Sequence, residues 1–282
     1  MLTEHLVARS DARAPRDPET GLLEGAEPRD LGPKDAPGAV LLVHGFLGAG
    51  QNFGELPEAL AEHGWRARAM LLPGHGTSPR DLETVDADEL VDAVFAEAQA
   101  LANEHGNVVL IGHSMGGALC TLAAAQGHAD GLVLVAPYFE VTHRWYYILP
   151  PEQWIRIGSP IVRWVYKGQM LIQVNRPEAK DKILSYEWAP TRAGRTLAEL
   201  GERARASECL DRVTCPVLLL HSHGDEASSP EAAEKAWEGM ASTDKRIAWF
   251  DRSNHHLFFD YDREEVVAEI LTFLDQHFDT DN

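Results

Sequence analysis

The chain has 282 residues, of which 44% are hydrophobic, and this is enough to bury a large single core. Its formal net charge is −19, so we expect it to repel nucleic acid and anionic membrane surfaces. No run approaches the roughly 18 apolar residues that cross a bilayer, and residues 1–37 lack the apolar core of a signal peptide. The three cysteines have no metal-binding or disulfide spacing. These properties predict a cytoplasmic protein without stable membrane insertion.

The first 37 residues are rich in Pro, Asp, Arg and Gly and show no sustained period. This composition predicts an irregular arm with one edge strand near Gly21–Glu24. The arm is followed by short apolar runs of the kind that form parallel strands buried on both faces. These runs lie at Ala39–Val43, Arg68–Leu72, Val108–Ile111, Leu132–Ala136, Val217–Leu220 and Ile247–Phe250.

Helical segments separate the apolar runs. One is predicted to begin at a capping box of Asp86 and Glu89 and to end at Gly106. The last helix is predicted to begin at a second capping box, Asp262 with Glu265. Alternating strands and helices predict right-handed crossovers and a sheet that is covered on both faces.

Residues 138–208 interrupt this alternation, because they contain no buried-strand run. Residues 138–188 nevertheless hold ten of the 22 aromatic residues. An aromatic insertion of this kind indicates a small helical cap over a site, although an ordinary helical subdomain with its own core has the same pattern. We therefore divide the chain into an N-terminal arm (1–37), a core (38–137 and 209–282) and a cap (138–208).

The motif with the most chemical content is Gly112-His113-Ser114-Met115-Gly116. It directly follows the apolar run at 108–111 and precedes a helix-like run of small residues. A serine in a tight strand-to-helix turn has glycine neighbours because a Cβ atom there prevents closure of the turn. Such a turn exposes the hydroxyl at a helix N-terminus, where free N–H groups favour a developing anion. Ser114 is therefore the candidate nucleophile.

An acid and a base follow in chain order. Asp225 comes just after the apolar run at 217–220, and His255 comes just after the run at 247–250. The order serine, acid, histidine is that of the α/β-hydrolase fold. Upstream, His44–Gly48 follows the first buried run, where that fold places its second oxyanion donor.

With these motifs, the chain resembles an α/β-hydrolase of the bacterial carboxylesterase and monoacylglycerol lipase group. The resemblance covers about residues 38–278, and it matches the cap only in position and size. It implies an α/β-hydrolase fold, with a mostly parallel sheet covered by helices on both faces and a small helical cap inserted after the sixth strand. The matching motifs are His44–Gly48, Leu72–Gly76, Gly112–Gly117, His223–Asp225 and Ser253–His255.

The resemblance also implies a role for each matching residue. Ser114 attacks an ester carbonyl, His255 takes its proton, and Asp225 orients the imidazole. The backbone N–H groups of Phe46 and Met115 bind the oxyanion. No cofactor and no metal are expected in this mechanism.

Several alternatives remain at the sequence level. His256, next to His255 in the sequence, is the alternative base. Glu226 follows the favoured acid, and Glu140 follows the apolar run at 132–136, a position that some hydrolases use for the acid.

The remaining histidines are interpreted differently. We expect His44, His75 and His113 to brace loops through hydrogen bonds. His221 and His223 resemble a metal-binding pair, but they lack a third ligand, so a metal site is not predicted.

We predict a serine carboxylic ester hydrolase that acts on short- to medium-chain acyl esters through a covalent acyl-enzyme. The substrate is a small-molecule ester, and the protein is expected to be a monomer or a homodimer. The same triad also suits a monoacylglycerol lipase, a thioesterase or a perhydrolase, and the non-enzymatic alternative is a ligand receptor built on this fold. The candidate substrate-binding residues in the cap are Trp145, Tyr146, Trp154 and Trp164.

Overall fold

A computed structural model describes residues 2–143, 150–168 and 172–278 of the chain. The strands, in chain order, are β1 (Arg29–Leu31), β2 (Gly38–Val43), β3 (Arg66–Ala69), β4 (Asn107–His113), β5 (Gly131–Val135), β6 (Trp164–Tyr166), β7 (Trp188–Pro190), β8 (Val217–Ser222) and β9 (Lys245–Phe250). The α-helices are α1 (Leu2–Asp11), α2 (Leu56–Glu62), α3 (Pro79–Thr84), α4 (Ala87–Glu104), α5 (Met115–Ala125), α6 (Pro151–Gly158), α7 (Thr191–Ala204), α8 (Ser207–Leu210), α9 (Pro230–Gly239) and α10 (Arg263–His277). Short 3-10 helices lie at Gly50–Phe53, Pro177–Lys182 and Leu257–Phe259. None of the helices described here is both long and apolar enough to cross a bilayer.

The centre of the fold is a seven-stranded sheet in the order β1-β3-β2-β4-β5-β8-β9. The strands pair in parallel except for β1, which runs antiparallel to β3 at one edge. In the register of the central strands, Ile111 of β4 lies opposite Leu42 of β2 and Val133 of β5. Because parallel strands share a direction, the loops that follow β2, β4, β8 and β9 meet at one edge. The candidate catalytic residues Ser114, Asp225 and His255 lie in these loops, as does the predicted oxyanion turn His44–Gly48.

Both faces of this sheet are covered, as the continuous apolar runs predict. Leu110 and Ile111 are neighbours in β4, point to opposite faces and are completely buried. The cluster around Leu110 includes residues of α4 and α5, whereas the cluster around Ile111 includes residues of α2 and α10. Burial of each large aliphatic side chain contributes about 1.5–3 kcal/mol, so the two clusters supply most of the driving force for this arrangement.

The two predicted capping boxes differ in outcome. At the start of α4, Asp86 accepts a hydrogen bond from the backbone N–H of Glu89 at 3.0 Å, as predicted. At the start of α10, Asp262 is the N-cap residue, as predicted, but its side chain makes no capping bond, so the predicted capping box is wrong. Its carboxylate instead accepts from the Arg252 guanidinium at 2.6 Å and the Ser253 hydroxyl at 2.8 Å. The guanidinium and the hydroxyl therefore occupy the carboxylate oxygens that would otherwise accept from a backbone N–H of the first helical turn.

The N-terminal arm is more regular than the sequence predicts. Residues 2–11 form α1, and the edge strand lies at Arg29–Leu31 rather than near Gly21–Glu24. Leu23 makes only an isolated bridge to Arg16. Gly21 and Gly25 have φ values of 73° and 83°, which are left-handed conformations. They lie at the two ends of the predicted strand and prevent a longer extended segment there.

The segment between β5 and β8 contains α6, α7 and α8, but it is not purely helical. Its strands β6 and β7 pair as an antiparallel ribbon, which the sequence prediction missed. β6 is only three residues long, and two of them, Val165 and Tyr166, are exposed, so it lacks the longer buried run that marks the strands of the central sheet. The segment follows the fifth strand of the described sheet, so the predicted insertion after the sixth strand is wrong by one strand.

Candidate active site

Ser114 lies in the turn between β4 and α5, in a strained backbone conformation with φ 55° and ψ −120°. Its glycine neighbours are required by close backbone packing. A Cβ atom on Gly112 would lie 2.3 Å from the carbonyl oxygen of Gly116, and one on Gly116 would lie 1.8 Å from that of Val43. The glycines therefore allow the turn that presents the serine hydroxyl.

The structure brings the serine, histidine and aspartate into a continuous series of contacts. His255 Nε2 lies 3.0 Å from Ser114 Oγ, and His255 Nδ1 lies 2.8 Å from Asp225 Oδ2. All three residues are buried, with exposed fractions between 3% and 8%. An ionised carboxylate only accepts hydrogen bonds, so Nδ1 carries the proton and Nε2 is free to accept from the serine hydroxyl.

The Asp225 carboxylate is held on both of its oxygens. Oδ1 accepts from the backbone N–H groups of Ala227 at 2.7 Å and Ser228 at 2.9 Å. Burial raises the pKa of this carboxyl group, but His255, His221 and these hydrogen bonds oppose the effect. The net result is a pKa below the ordinary value, so Asp225 is ionised at neutral pH.

Asn254 joins the loop that carries the acid to the loop that carries the base. Its side-chain Oδ1 accepts from the backbone N–H of Glu226 at 3.0 Å and of His255 at 2.9 Å. Its own backbone N–H donates to Asp260 Oδ2 at 2.8 Å. Sequence reasoning assigned no role to Asn254 or Asp260. The position of Asn254 next to His255 was the one sequence feature that could have indicated a role. Its partner Glu226 could not be identified from sequence, because Glu226 lies in a different loop.

The rival base does not occupy the position of His255. His256 is buried, and its backbone N–H donates to the Gln173 carbonyl at 3.1 Å. Burial holds the pKa of His256 well below its ordinary value, and His113, His255 and Lys167 lower it further. The ring nitrogen Nδ1 of His256 has no hydrogen-bond partner among the described residues.

The rival acids are also placed elsewhere. Glu140 forms an ion pair with Arg205 at 3.1 Å, and its side chain is about half exposed. Glu226 contacts the site with its backbone N–H, which donates to the Asn254 side-chain oxygen. Of the three candidates, Asp225 is the one whose carboxylate contacts His255 at 2.8 Å.

His44 and His113 contact backbone groups of the loops that surround Ser114. His44 Nδ1 donates to the Gly45 carbonyl at 2.9 Å, and Nε2 accepts from the Leu72 backbone N–H at 3.1 Å. His113 Nε2 lies 3.1 Å from the carbonyl oxygen of His255. Both rings therefore brace the turns that carry candidate catalytic groups.

His221 and His223 have separate surroundings. His221 Nδ1 accepts from the Ser222 backbone N–H at 2.9 Å, whereas His223 Nδ1 lies 2.8 Å from Asp251 and its ring stacks on Trp249. Across residues 2–143, 150–168 and 172–278, no group of three or more His, Cys, Asp or Glu side chains is arranged to hold a metal ion.

The predicted oxyanion donors lie on two turns beside Ser114. Met115 begins α5, and Phe46 lies in the turn Gly45–Gly48, which is closed by a hydrogen bond from the Gly48 N–H to the Gly45 carbonyl at 3.2 Å. A Cβ atom on Gly45 would lie 3.0 Å from the Ser114 Cβ, so the turn passes directly against the serine. Within the described residues, neither the Phe46 nor the Met115 N–H donates to a protein acceptor.

The four aromatic cap candidates have different positions. Trp145 and Tyr146 lie outside the described residues. Trp154 is on α6, with 52% of its surface exposed. Trp164 is buried, and its indole N–H donates to Glu4 of α1 at 2.9 Å. The described structure therefore does not bring Trp154 and Trp164 into a common cluster with the triad.

A cavity of about 900 Å³ lies between α1 and the ribbon of the cap. Its walls include the aromatic residues Tyr166, Tyr186 and Trp188, which the sequence analysis did not select. The three residues of the contact series are not part of its lining. The cavity is therefore separate from the serine turn.

Buried histidines around the site make folding sensitive to acid. Burial lowers the pKa of His75 to about 4 and that of His113 to about 3. In the unfolded chain these groups bind protons near the ordinary value of about 6.5. The unfolded state therefore binds more protons than the folded state below pH 6.5. Stability is fully present above that pH and decreases as the pH falls towards the folded values.

The free energy of unfolding of the wild type is expected to decrease when the pH falls from 7 to 4.5. In the His75→Gln variant we expect this decrease to be smaller by about 2 kcal/mol. Glutamine carries no charge at either pH, so it does not favour the unfolded state in acid. Urea denaturation at both pH values measures the difference. A variant at the exposed His223, His223→Gln, serves as the control. An acid loss in His75→Gln equal to that of the wild type contradicts the prediction.

Comparisons with known proteins identify the family of the chain. Residues 34–262 match the family described as serine aminopeptidase, S33. The chain is 31% identical to a thermostable monoacylglycerol lipase of a Bacillus species, over 91% of this chain and 97% of that protein. It is 22% identical to a carboxylesterase of Bacillus subtilis, over 84% of this chain and 92% of that protein.

A solved structure reported for LipS and LipT, two metagenome-derived lipolytic enzymes, superposes with a TM-score of 0.81 at 26% identity. The superposition covers 91% of this chain and all of that one. The chain therefore belongs to the serine aminopeptidase, S33, family of α/β hydrolases, and it is a serine hydrolase of the carboxylesterase and monoacylglycerol lipase group.

Proposed function

We propose that this enzyme hydrolyses carboxylic esters of short to medium acyl length, with Ser114 as nucleophile, His255 as general base and Asp225 as the orienting acid. The observation that carries the proposal is the buried series of contacts from Ser114 Oγ through His255 to Asp225, at 3.0 Å and 2.8 Å. These distances lie within the range needed for proton transfer between a nucleophile and its base.

In the first step, Ser114 Oγ attacks the carbonyl carbon while its proton passes to His255 Nε2. The tetrahedral intermediate then collapses, and the leaving alcohol takes that proton, which leaves an acyl ester on Ser114. Water attacks this ester with His255 again as base, and the carboxylic acid is released with Ser114 restored. Asp225 stabilises the imidazolium in both halves of the reaction, because its low pKa keeps it charged.

The negative charge on the substrate oxygen requires donors that are already in place. We assign this role to the backbone N–H groups of Phe46 and Met115. Two features support the assignment: Met115 is the first residue of α5, and the Gly45 turn is packed against Ser114. Each such donor contributes about 10²–10³ in rate.

Monoacylglycerols are the second candidate substrates within this ester class. The observation that favours them is the 31% identity to a monoacylglycerol lipase over nearly its full length. Two measurements distinguish simple carboxylic esters from monoacylglycerols as substrates. A series of p-nitrophenyl esters from C2 to C16 first gives the preferred acyl length, and monoacylglycerols and methyl esters of that length are then compared. Absence of turnover on every ester, by folded enzyme, overturns the proposal.

We also propose that the cap supplies the acyl-binding wall, with Trp145, Tyr146, Trp154 and Trp164 as candidates. Each buried CH₂ contributes about 0.8 kcal/mol, so removing a wall shortens the preferred acyl chain. We expect Trp154→Ala to lower kcat/KM for the longer p-nitrophenyl esters more than for the C2 ester. Trp237→Ala, on α9 in the core, is the control.

Trp164 tests the same idea against a structural role. Its indole already donates to Glu4, so Trp164→Ala also removes a contact with α1. A changed chain-length profile supports an acyl-wall role. A lower Tm with an unchanged profile contradicts that role for Trp164.

A further inference from the structure

The oxyanion turn contains a leucine in a conformation that usually requires glycine. Leu47 has φ 65°, and it is the third residue of the turn Gly45–Gly48. Phe46, the second residue, does not have positive φ, and a turn with positive φ at its third residue alone is of type II, in which that position strongly favours glycine. A branched side chain in this region is strained, and such strain persists only where surrounding contacts hold it.

The contacts that hold Leu47 come partly from the cap. The backbone N–H of Tyr186 donates to the Leu47 carbonyl at 3.2 Å. The Leu47 side chain is 4% exposed and lies in one buried cluster with Tyr186, Leu82 and Leu23. Just beyond the turn, the Asn52 side-chain amide donates to the Leu184 carbonyl at 3.1 Å, which ties the same cap segment to the core.

The Tyr186 phenol makes a second connection. Its hydroxyl donates to the Gly74 carbonyl at 3.1 Å and accepts from the Thr77 backbone N–H at 2.9 Å. The residue is 6% exposed, and burial raises its pKa to about 12, so the hydroxyl keeps its proton. Tyr186 therefore contacts both the oxyanion turn and the loop at residues 72–77.

That loop holds the other end of the turn. The Leu72 backbone N–H donates to His44 Nε2 at 3.1 Å, and His44 Nδ1 donates to the Gly45 carbonyl at 2.9 Å. The turn is thus held at Gly45 from the loop and at Leu47 from the cap. Tyr186 is the residue that links these two supports.

We propose that Tyr186 is a positioning residue for the oxyanion turn, so that the cap is coupled to the step in which negative charge develops on the substrate oxygen. The inference rests on the function proposed above. It extends the role of the cap from substrate selection to catalysis. Tyr186 acts through Leu47 on the neighbouring Phe46 N–H and does not itself touch the substrate.

The positioning role has a distinct kinetic signature. The oxyanion donors bind charge that is present in the transition state and nearly absent in the bound ester. A displaced donor therefore lowers kcat and leaves KM nearly unchanged. It also weakens trifluoromethyl ketone inhibitors, in which Ser114 Oγ adds to the ketone carbon, His255 takes the proton and the ketone oxygen becomes the oxyanion.

The test is Tyr186→Phe, which keeps the ring and the backbone N–H and removes only the phenol bonds. We expect kcat to fall by about ten-fold, the trifluoromethyl ketone to bind about ten-fold more weakly, and KM to stay within about two-fold. Titration with a fluorophosphonate gives the active fraction, so that loss of folded enzyme is not counted as a loss of kcat. A purely structural role lowers the active fraction and leaves the ketone affinity unchanged.

Tyr138→Phe is the matched control. It removes another buried phenol bond of the cap, from Tyr138 to Glu152 at 3.2 Å, without a phenol contact to the loop at 72–77. We expect its ketone affinity to stay within about two-fold of the wild type. Equal losses in the Tyr186 and Tyr138 variants indicate general loosening of the cap and overturn the positioning role.

A second variant keeps the inference testable if Tyr186→Phe does not fold. Asn52→Ser removes the bond to Leu184 from the core side, and it is expected to weaken ketone binding in the same direction but by less. Unchanged ketone affinity in an active Tyr186→Phe enzyme, or in Asn52→Ser if that variant alone folds, overturns the inference and leaves the proposed function intact. A wild type without any ester turnover overturns both.

Discussion

Replacement of Ser114 by alanine is expected to lower kcat/KM for ester hydrolysis by about 10⁶-fold and to abolish covalent labelling by a fluorophosphonate. The hydroxyl forms the covalent bond in the proposed mechanism, and alanine has no atom that can replace it. The fold is expected to survive, because the substitution removes one oxygen and leaves the backbone turn in place. Hydrolysis of the preferred p-nitrophenyl ester and intact-mass measurement after labelling provide the two readouts.

Ser242→Ala is the control for this prediction. Ser242 is also buried, and its hydroxyl donates to the Asp244 carbonyl in the loop before β9. We expect the control to keep its turnover and its labelling. A labelled Ser114→Ala protein would place the nucleophile at another serine and would remove the basis of the proposed mechanism.

The serine turn was predictable from sequence because its determinants are local. The glycines at 112 and 116 make the turn possible, and each would clash with nearby backbone if it carried a Cβ atom. The apolar runs likewise predicted the parallel strands, since burial on both faces requires continuous apolar sequence. Chain order placed Asp225 and His255 after neighbouring strands of the sheet, where Asp225 contacts His255 and His255 contacts Ser114.

Features that depend on distant partners were not predictable in this way. Asp262 has the spacing of a helix cap, but Arg252 and Ser253 take its carboxylate. The strand β6 has only three residues and is mostly exposed, so it lacks the longer buried run by which a strand of the central sheet is recognised. The contact of Tyr186 with Leu47 joins residues from the cap and the first loop of the core, and neither residue shows a local sign of the other.

Replacement of Asp225 by asparagine is expected to lower kcat by about 10²–10⁴-fold and to leave the fold intact. The loss of charge removes the stabilisation of the His255 imidazolium. Glu140→Gln is the matched control, because Glu140 is the rival acid and pairs with Arg205. We expect that control to keep kcat within about two-fold. A larger loss in Glu140→Gln than in Asp225→Asn would move the acid to Glu140.

The backbone around Asp225 is expected to make asparagine at this position more damaging to kcat than a neutral residue without a hydrogen-bonding side chain. Ala227 and Ser228 both donate N–H groups to Oδ1, so an asparagine at 225 must turn its carbonyl oxygen towards them. Its NH₂ group then faces His255 Nδ1, which has to accept, and the ring proton moves to Nε2. In that tautomer, Nε2 has no lone pair for the Ser114 proton. Asp225→Ala leaves the tautomer free, so its kcat is expected to equal or exceed that of Asp225→Asn. The opposite order would show that loss of the side-chain hydrogen bonds at position 225, and not the imposed tautomer, dominates the difference between the two variants.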